Sequence, residues 1–166
     1  MINEFLFIST FVSVLGCRLI AGVFFAFSAF VMKALVSLPP AQGIAAMQSI
    51  NVAVLNPWFL GTFLGTAAAC LLLAVSSLFS WHKPGAAYFL VGSALYLFGV
   101  VVVTSAFNVP RNEGLAAVNP ISAEAANLWA GYVASWTTWN HVRTVAALGA
   151  AASLAVALCL SPANNL

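Results

Sequence analysis

Charge is what this sequence lacks most. Only 5% of its 166 residues are Asp, Glu, Lys or Arg, against roughly 25% in a soluble domain. A chain so poor in charge cannot cover itself with a polar surface, and a water-soluble globule is excluded. The formal net charge of +2 supplies no basic stripe, so no nucleic-acid partner is expected. Histidine is scarce as well. The two, His82 and His141, have no HxxxH or carboxylate–histidine neighbours at metal-ligand spacing. No GxGxxG, P-loop or Ser-His-Asp pattern occurs, and neither a metal nor a cofactor is expected.

Cysteine is equally uninformative. Cys17, Cys70 and Cys159 sit in apolar runs without CxxC spacing, where thiols serve as small packing residues rather than as a disulfide or zinc framework. "VLGC" at 14–17 looks like a lipoprotein cleavage box. The n-region "MINEF", however, has no Lys or Arg and contains Glu4, whereas a signal peptide starts positive. The apolar run also continues past Cys17, so an uncleaved first helix is expected.

What the sequence has is long apolar runs. Apolar residues make up 63% of it and the mean hydropathy is +1.06. Four stretches approach or exceed the roughly 20 residues a spanning helix needs: about 5–35, 57–81, 86–107 and 140–160. The reading is all-α: one transmembrane domain over 1–166, an integral four-helix bundle whose first partner is the lipid bilayer. Pro57 suits a first helical turn, and "HKPG" at 82–85 is a tight turn. The connection 38–57 carries Ile44, Met47, Ile50, Val54 and Leu55 at helical spacing, which predicts a short interfacial helix. The connection 108–140 is expected to start as a polar turn. "SAEA" at 122–125 then reads as an N-cap with an acidic first turn, from which helix runs into the fourth span and extends it out of the membrane.

Both long connections fall on one side. Lys33, Arg111 and Arg143 lie on or near that side and Lys83 on the other, so the positive-inside rule places the loop-rich side in the cytoplasm. "VLNP" at 54–57 and "AVNP" at 117–120 echo one another, and both read as turns because the residue before proline is pushed out of helical geometry.

The few polar residues within these runs carry the functional information. On a helix with roughly 100° per residue, Trp129, Tyr132, Trp136, Trp139, Asn140 and Arg143 share about a third of the circumference. His141 points roughly 100° away from Asn140. The stripe reads either as an interfacial aromatic belt with a snorkelling arginine, or as an aromatic wall ending in an amide and a guanidinium. Arg18 lies mid-way along the first span, roughly 20 Å from either end. Such a charge costs about 2.5–3.5 kcal/mol and usually faces the bundle interior, so Arg18 is expected to tie helices together or to line a buried pocket. No acidic residue lies within the spans to neutralise it; Glu113 and Glu124 lie in the second connection and Glu4 at the other end. Unpaired, it is a receptor for an enolate or phenolate. His141 either bonds to a loop carbonyl or serves as general base, since histidine titrates closest to working pH.

Four segments together, "GVFFAFSAFVMKAL" (22–35), "GIAAMQSINVAVLNPWF" (43–59), "NVPRNEGLA" (108–116) and "WAGYVASWTTWNHVRT" (129–144), resemble the anthrone-oxygenase-like family of small four-span membrane proteins. The most specific part is an Asn-x-Pro-x-Asn loop followed by two Trp residues and Asn-His-x-Arg. The resemblance implies oxidation of an anthrone to an anthraquinone by O₂ without metal or flavin, on a hydrophobic aromatic or quinone-like substrate from the bilayer. By role it assigns His141 as base and Arg143 or Arg18 as the cation. Asn108, Asn112 and Asn140 become orienting amides, and Trp136 and Trp139 the walls. A bacterial plasma-membrane location is expected. A non-catalytic module that binds a lipid or quinone, or packs as an accessory subunit, is the other reading. Gly61, Gly65 and Ala68 would support such association, and homo-oligomers stay open.

Overall fold

The computed structural model describes residues 2–160; Met1 of the n-region and residues 161–166 lie outside them. Every element among these residues is helical. Helix α1 (Ile2–Ala26) passes through a π-helical turn (Phe27–Val31) into α2 (Met32–Val36). Helix α3 (Pro40–Ala53) follows, then α4 (Pro57–Phe79) and α5 (Ala86–Tyr96). Two more π-helical segments, Leu97–Val102 and Thr104–Asn108, carry α5 into α6 (Val109–Ala116). Helix α7 (Ala125–Leu160) closes the chain.

Four continuous rods emerge: Glu4–Val36, Pro57–Phe79, Ala86–Ala116 and Ala125–Leu160, each long and apolar enough to cross a membrane. The chain is a multi-pass membrane protein built as a four-helix bundle. Helix α7 runs unbroken for 36 residues, about 54 Å at the usual helical rise. That exceeds a hydrocarbon core of about 30 Å, so the helix projects out of the membrane as expected.

Local chemistry sets the ends. Asn56 caps α4: its Oδ1 accepts from the backbone N–H groups of Trp58 and Phe59 at 3.1 and 3.0 Å, satisfying two of the donors a helix start leaves over. Gly85, with φ of 87°, takes the left-handed geometry that lets the tight turn reverse into α5.

The third rod departs from expectation. A polar turn is predicted from Asn108, yet helix continues to Ala116. Pro110 lacks an N–H and would break an ordinary α-helix. Here the turn ahead of it is widened, with the Val109 N–H bonding to the Thr104 carbonyl. Such π-bulges insert an extra residue into a turn, which lets the helix absorb the proline without ending.

Two apolar clusters stack along the bundle. The inner one joins Cys17, Ile20 and Phe24 of α1 to Phe63 and Cys70 of α4, Tyr96 of α5 and the Ala147–Ala150–Leu154 face of α7. Small residues on α7 let its neighbours approach closely. The same logic is sharpest between α1 and α4, where a Cβ at Gly16 would collide with Thr66 Oγ1. The outer cluster joins Met32, Leu35, Ile44, Met47, Leu115, Trp129 and Trp136. It seats α3 by its buried Ile44 and Met47, as the spacing predicts, whereas Val54 and Leu55 of the expected stripe lie past the helix end and Leu55 is exposed. Gln48 Nε2 fastens α3 further by donating to the carbonyls of Leu115 and Val118 at 2.8 and 3.0 Å. The candidate site lies between these clusters.

Candidate active site

A cavity of about 460 Å³ opens between α1, α3, α4, the π-helical part of the third rod and α7. Its walls are mostly apolar, with Phe24, Phe27, Met47, Phe59, Phe63 and Trp136 among them. That is the usual make-up of a small-molecule pocket, in which a few polar groups fix orientation. Here those groups include Gln48, Asn51, Thr104, Asn108, Asn112, Glu113 and Arg143.

Arg143 is the central feature. It is buried, 5% exposed, and no carboxylate of the described residues lies within ion-pair distance. Its guanidinium lies over the Phe24 ring at 4.2 Å and near the Trp136 ring at 5.1 Å, where the negative ring faces replace part of the lost hydration. Nη2 donates to Asn140 Oδ1 at 2.7 Å and Nη1 to Thr104 Oγ1 at 3.3 Å. Nε is buried without an acceptor. Arginine presents its donors in a rigid fork, so fixing the two Nη atoms also fixes the direction of the free Nε–H.

Asn140 is fully buried and acts behind Arg143. Its Nδ2 donates to the Phe24 carbonyl and to Ser28 Oγ, both at 2.8 Å, tying α7 to the π-helical turn of the first rod. That turn re-aims Ser28 inward. Ser28 Oγ also meets Thr144 Oγ1 at 3.2 Å and His141 Nδ1 at 2.9 Å. A hydrogen-bonded chain thus runs from His141 through Ser28 and Asn140 to Arg143.

Asn108 and Asn112 hang from the widened turn and from α6. Asn108 is 1% exposed; its Nδ2 donates to the Trp136 carbonyl at 3.3 Å, while its Oδ1 is buried without a donor. Asn112 Oδ1 accepts from Tyr132 Oη and Trp136 Nε1 at 2.9 and 2.8 Å, which locks the aromatic wall. Buried polar atoms are normally satisfied. Asn108 Oδ1 and Arg143 Nε lack partners and belong to residues that line the cavity, although both atoms are enclosed behind its surface; with the other polar side chains they make this wall the one suited to orient a polar aromatic ligand.

The sequence-predicted residues divide cleanly. Asn108, Asn112, Trp136 and Arg143 line the cavity, and Asn140 supports it from behind. Trp139 does not line it; it stacks on Phe107 with centroids 3.6 Å apart. His141 is exposed, off the cavity wall, as its angle from Asn140 requires. Arg18 is exposed too, contrary to the expectation that it faces the interior. The inward stripe of α1 at that level is Val14, Cys17, Ile20, Ala21 and Phe24, and the close α1–α4 approach at Gly16 leaves no room there for a guanidinium. Phe24, Ser28, Gln48, Asn51 and Thr104 belong to the site but carry no sequence signal of their own. Among the described residues no three of His, Cys, Asp and Glu come together as a metal cluster.

A family model described as anthrone oxygenase matches residues 58–153, more than half of the chain. The match covers Asn108, Asn112, Trp136, Asn140 and Arg143, and leaves out the α1 and α3 walls. No curated protein and no solved structure matches the chain.

Proposed function

The chain belongs to the anthrone oxygenase family, and from that premise we propose that its cavity oxidises a hydroxylated anthrone-like or quinone-like aromatic with O₂. The observation that carries the proposal is Arg143: a buried cation without a carboxylate partner, on the wall of a mostly apolar cavity. Such a group stabilises negative charge far more in a water-poor site than in water.

In the proposed reaction the CH₂ opposite the substrate ketone gives a proton to Glu113, the carboxylate among the lining residues. This reading replaces His141, which does not line the cavity. The electron pair left behind spreads onto the ketone oxygen as an enolate, stabilised by the positive charge of the Arg143 guanidinium. A small turn of the Asn108 amide would present its Oδ1 to a ring hydroxyl and set the orientation. The enolate passes one electron to O₂, and the resulting superoxide and carbon radical join in a C–O bond. The peroxide takes up a proton. Loss of the second CH₂ proton with cleavage of the O–O bond gives a ketone and water. The sum is anthrone plus O₂ to anthraquinone plus water, which balances without a further reductant.

Several lining residues, Val23, Val52, Leu55 and Leu64, are exposed on the outer surface. This supports access for a hydrophobic substrate sideways from the bilayer, which we place in a bacterial plasma membrane. The test is O₂ uptake and anthraquinone absorbance with purified protein in detergent and a hydroxylated anthrone, against heat-killed protein because anthrones autoxidise. Turnover above that control, lost in Arg143→Leu, reduced in Glu113→Gln and kept in His141→Ala, is the expected result. A rate equal to the control would remove the oxygenase reading and leave a cavity that binds such molecules without converting them.

A further inference from the structure

Arg18, absent from the cavity, occupies an unusual position. Its depth is fixed by the contact of Gly16 with Thr66. Thr66 lies about 14 Å from the Pro57 end of α4 and about 20 Å from the Phe79 end. Two residues further along α1, Arg18 lies roughly 10 Å inside the loop-rich end of α4. It is on the outer face of the bundle, flanked by exposed Leu15 and Leu19. A Cβ at Gly22, one turn on, would meet nothing within 4 Å. No hydrogen bond, ion pair or ring contact holds Arg18 among the described residues.

Snorkelling does not relieve it easily. Side chains on a helix tilt toward its N-terminus, and for α1 that direction leads toward the far, more distant interface. An arginine facing lipid below the interface is costly, and such residues normally turn to the bundle interior or find a partner. A second copy of the chain is a poor cover. Two parallel copies meeting through this face about a twofold axis would set Arg18 against Arg18. The three carboxylates of any copy, Glu4, Glu113 and Glu124, belong to the helix ends and connections rather than to this depth.

We propose that the Arg18 face of α1 docks a transmembrane helix of another protein that carries an Asp or Glu at matching depth. Gly22 gives that helix room to approach, and Leu15 and Leu19 give it apolar contact. The surface is independent of the cavity and of any reaction there.

The test uses the full-length protein, labelled with a donor fluorophore and reconstituted in phosphatidylcholine vesicles. The probes are Leu/Ala-rich transmembrane peptides carrying one Glu or, in the control, one Gln at the depth of Arg18. Energy transfer should report about tenfold tighter association of the Glu peptide, the fold-change equivalent of the 1–2 kcal/mol a polar pair contributes in lipid. Arg18→Leu, an apolar change on a lipid-facing position, should abolish the difference, as should Arg18→Gln. Equal association of the two peptides overturns the proposal, and so does a preference that survives Arg18→Leu. A preference that vanishes once anionic lipid is included overturns it too, since a lipid phosphate would then be the occupant.

Discussion

At the scale of single residues, function turns on how a guanidinium is kept charged and aimed where water is scarce. Arg143 manages this with rings beneath it and two fixed donors. A lysine could supply the charge but neither the planar stacking nor the fork. Arg143→Lys should therefore retain only a small part of the activity, and Arg143→Leu none, measured as anthrone-dependent O₂ uptake. Asn140→Leu removes an acceptor from a buried cation and a donor from the Phe24 carbonyl. Leaving such groups unpaired costs about 1–3 kcal/mol, and thermal unfolding in detergent should show the loss. Asn108→Leu should leave stability less affected but weaken binding of a hydroxyanthraquinone by about tenfold, a little over 1 kcal/mol for one buried hydrogen bond. An unchanged affinity would mean that Asn108 Oδ1 does not meet the ligand.

At the scale of elements, the π-helical turns shape the site. Phe27–Val31 carries Ser28 to Asn140, and Thr104–Asn108 carries Thr104 and Asn108 to Arg143 and Trp136. None of this is legible in the sequence, because a π-bulge shifts the helical register by one residue without a composition of its own. The Trp–Asn–Arg stripe on α7 was legible, since α7 is regular there and a single angle per residue suffices. Arg18 was misplaced for a different reason. Helix α1 is apolar on all sides, so its periodicity does not say which face is inward. The close α1–α4 approach is the more decisive feature of that helix. Gly16→Leu should lower the unfolding temperature, because overpacking costs about 1–3 kcal/mol and the Thr66 side chain meets this position with its Cβ and Cγ2 as well as its Oγ1. A variant as stable as the parent would show that the helices do not meet there.

For the whole molecule, the number of rods and the lopsided distribution of connections followed directly from hydropathy and length. The extent of the third rod did not, because the proline rule that predicts a turn at 108–112 is overridden by the widened turn before it. The bundle places the cavity near the loop-rich end, between the inner apolar cluster and the α3 cap. The distribution of Lys33 and Arg111 against Lys83 predicts that this end faces the cytoplasm. Single cysteines at positions 83 and 121, both exposed, should be labelled from opposite sides of sealed vesicles in a background lacking the native cysteines. Labelling of both from the same side would overturn the four-span topology.

One measurement reaches the central claim without waiting for turnover: the ionisation of a bound hydroxyanthraquinone, followed by its visible absorbance as pH is varied. If Arg143 holds an oxyanion in the cavity, the bound phenol should ionise at least about one pH unit lower than the free probe, equivalent to about 1.4 kcal/mol of preference for the phenolate. Arg143→Leu should return it to the free value or above. A bound probe that ionises at the same pH in parent and variant would contradict the account, because Arg143 would then not be the group that stabilises negative charge in this site.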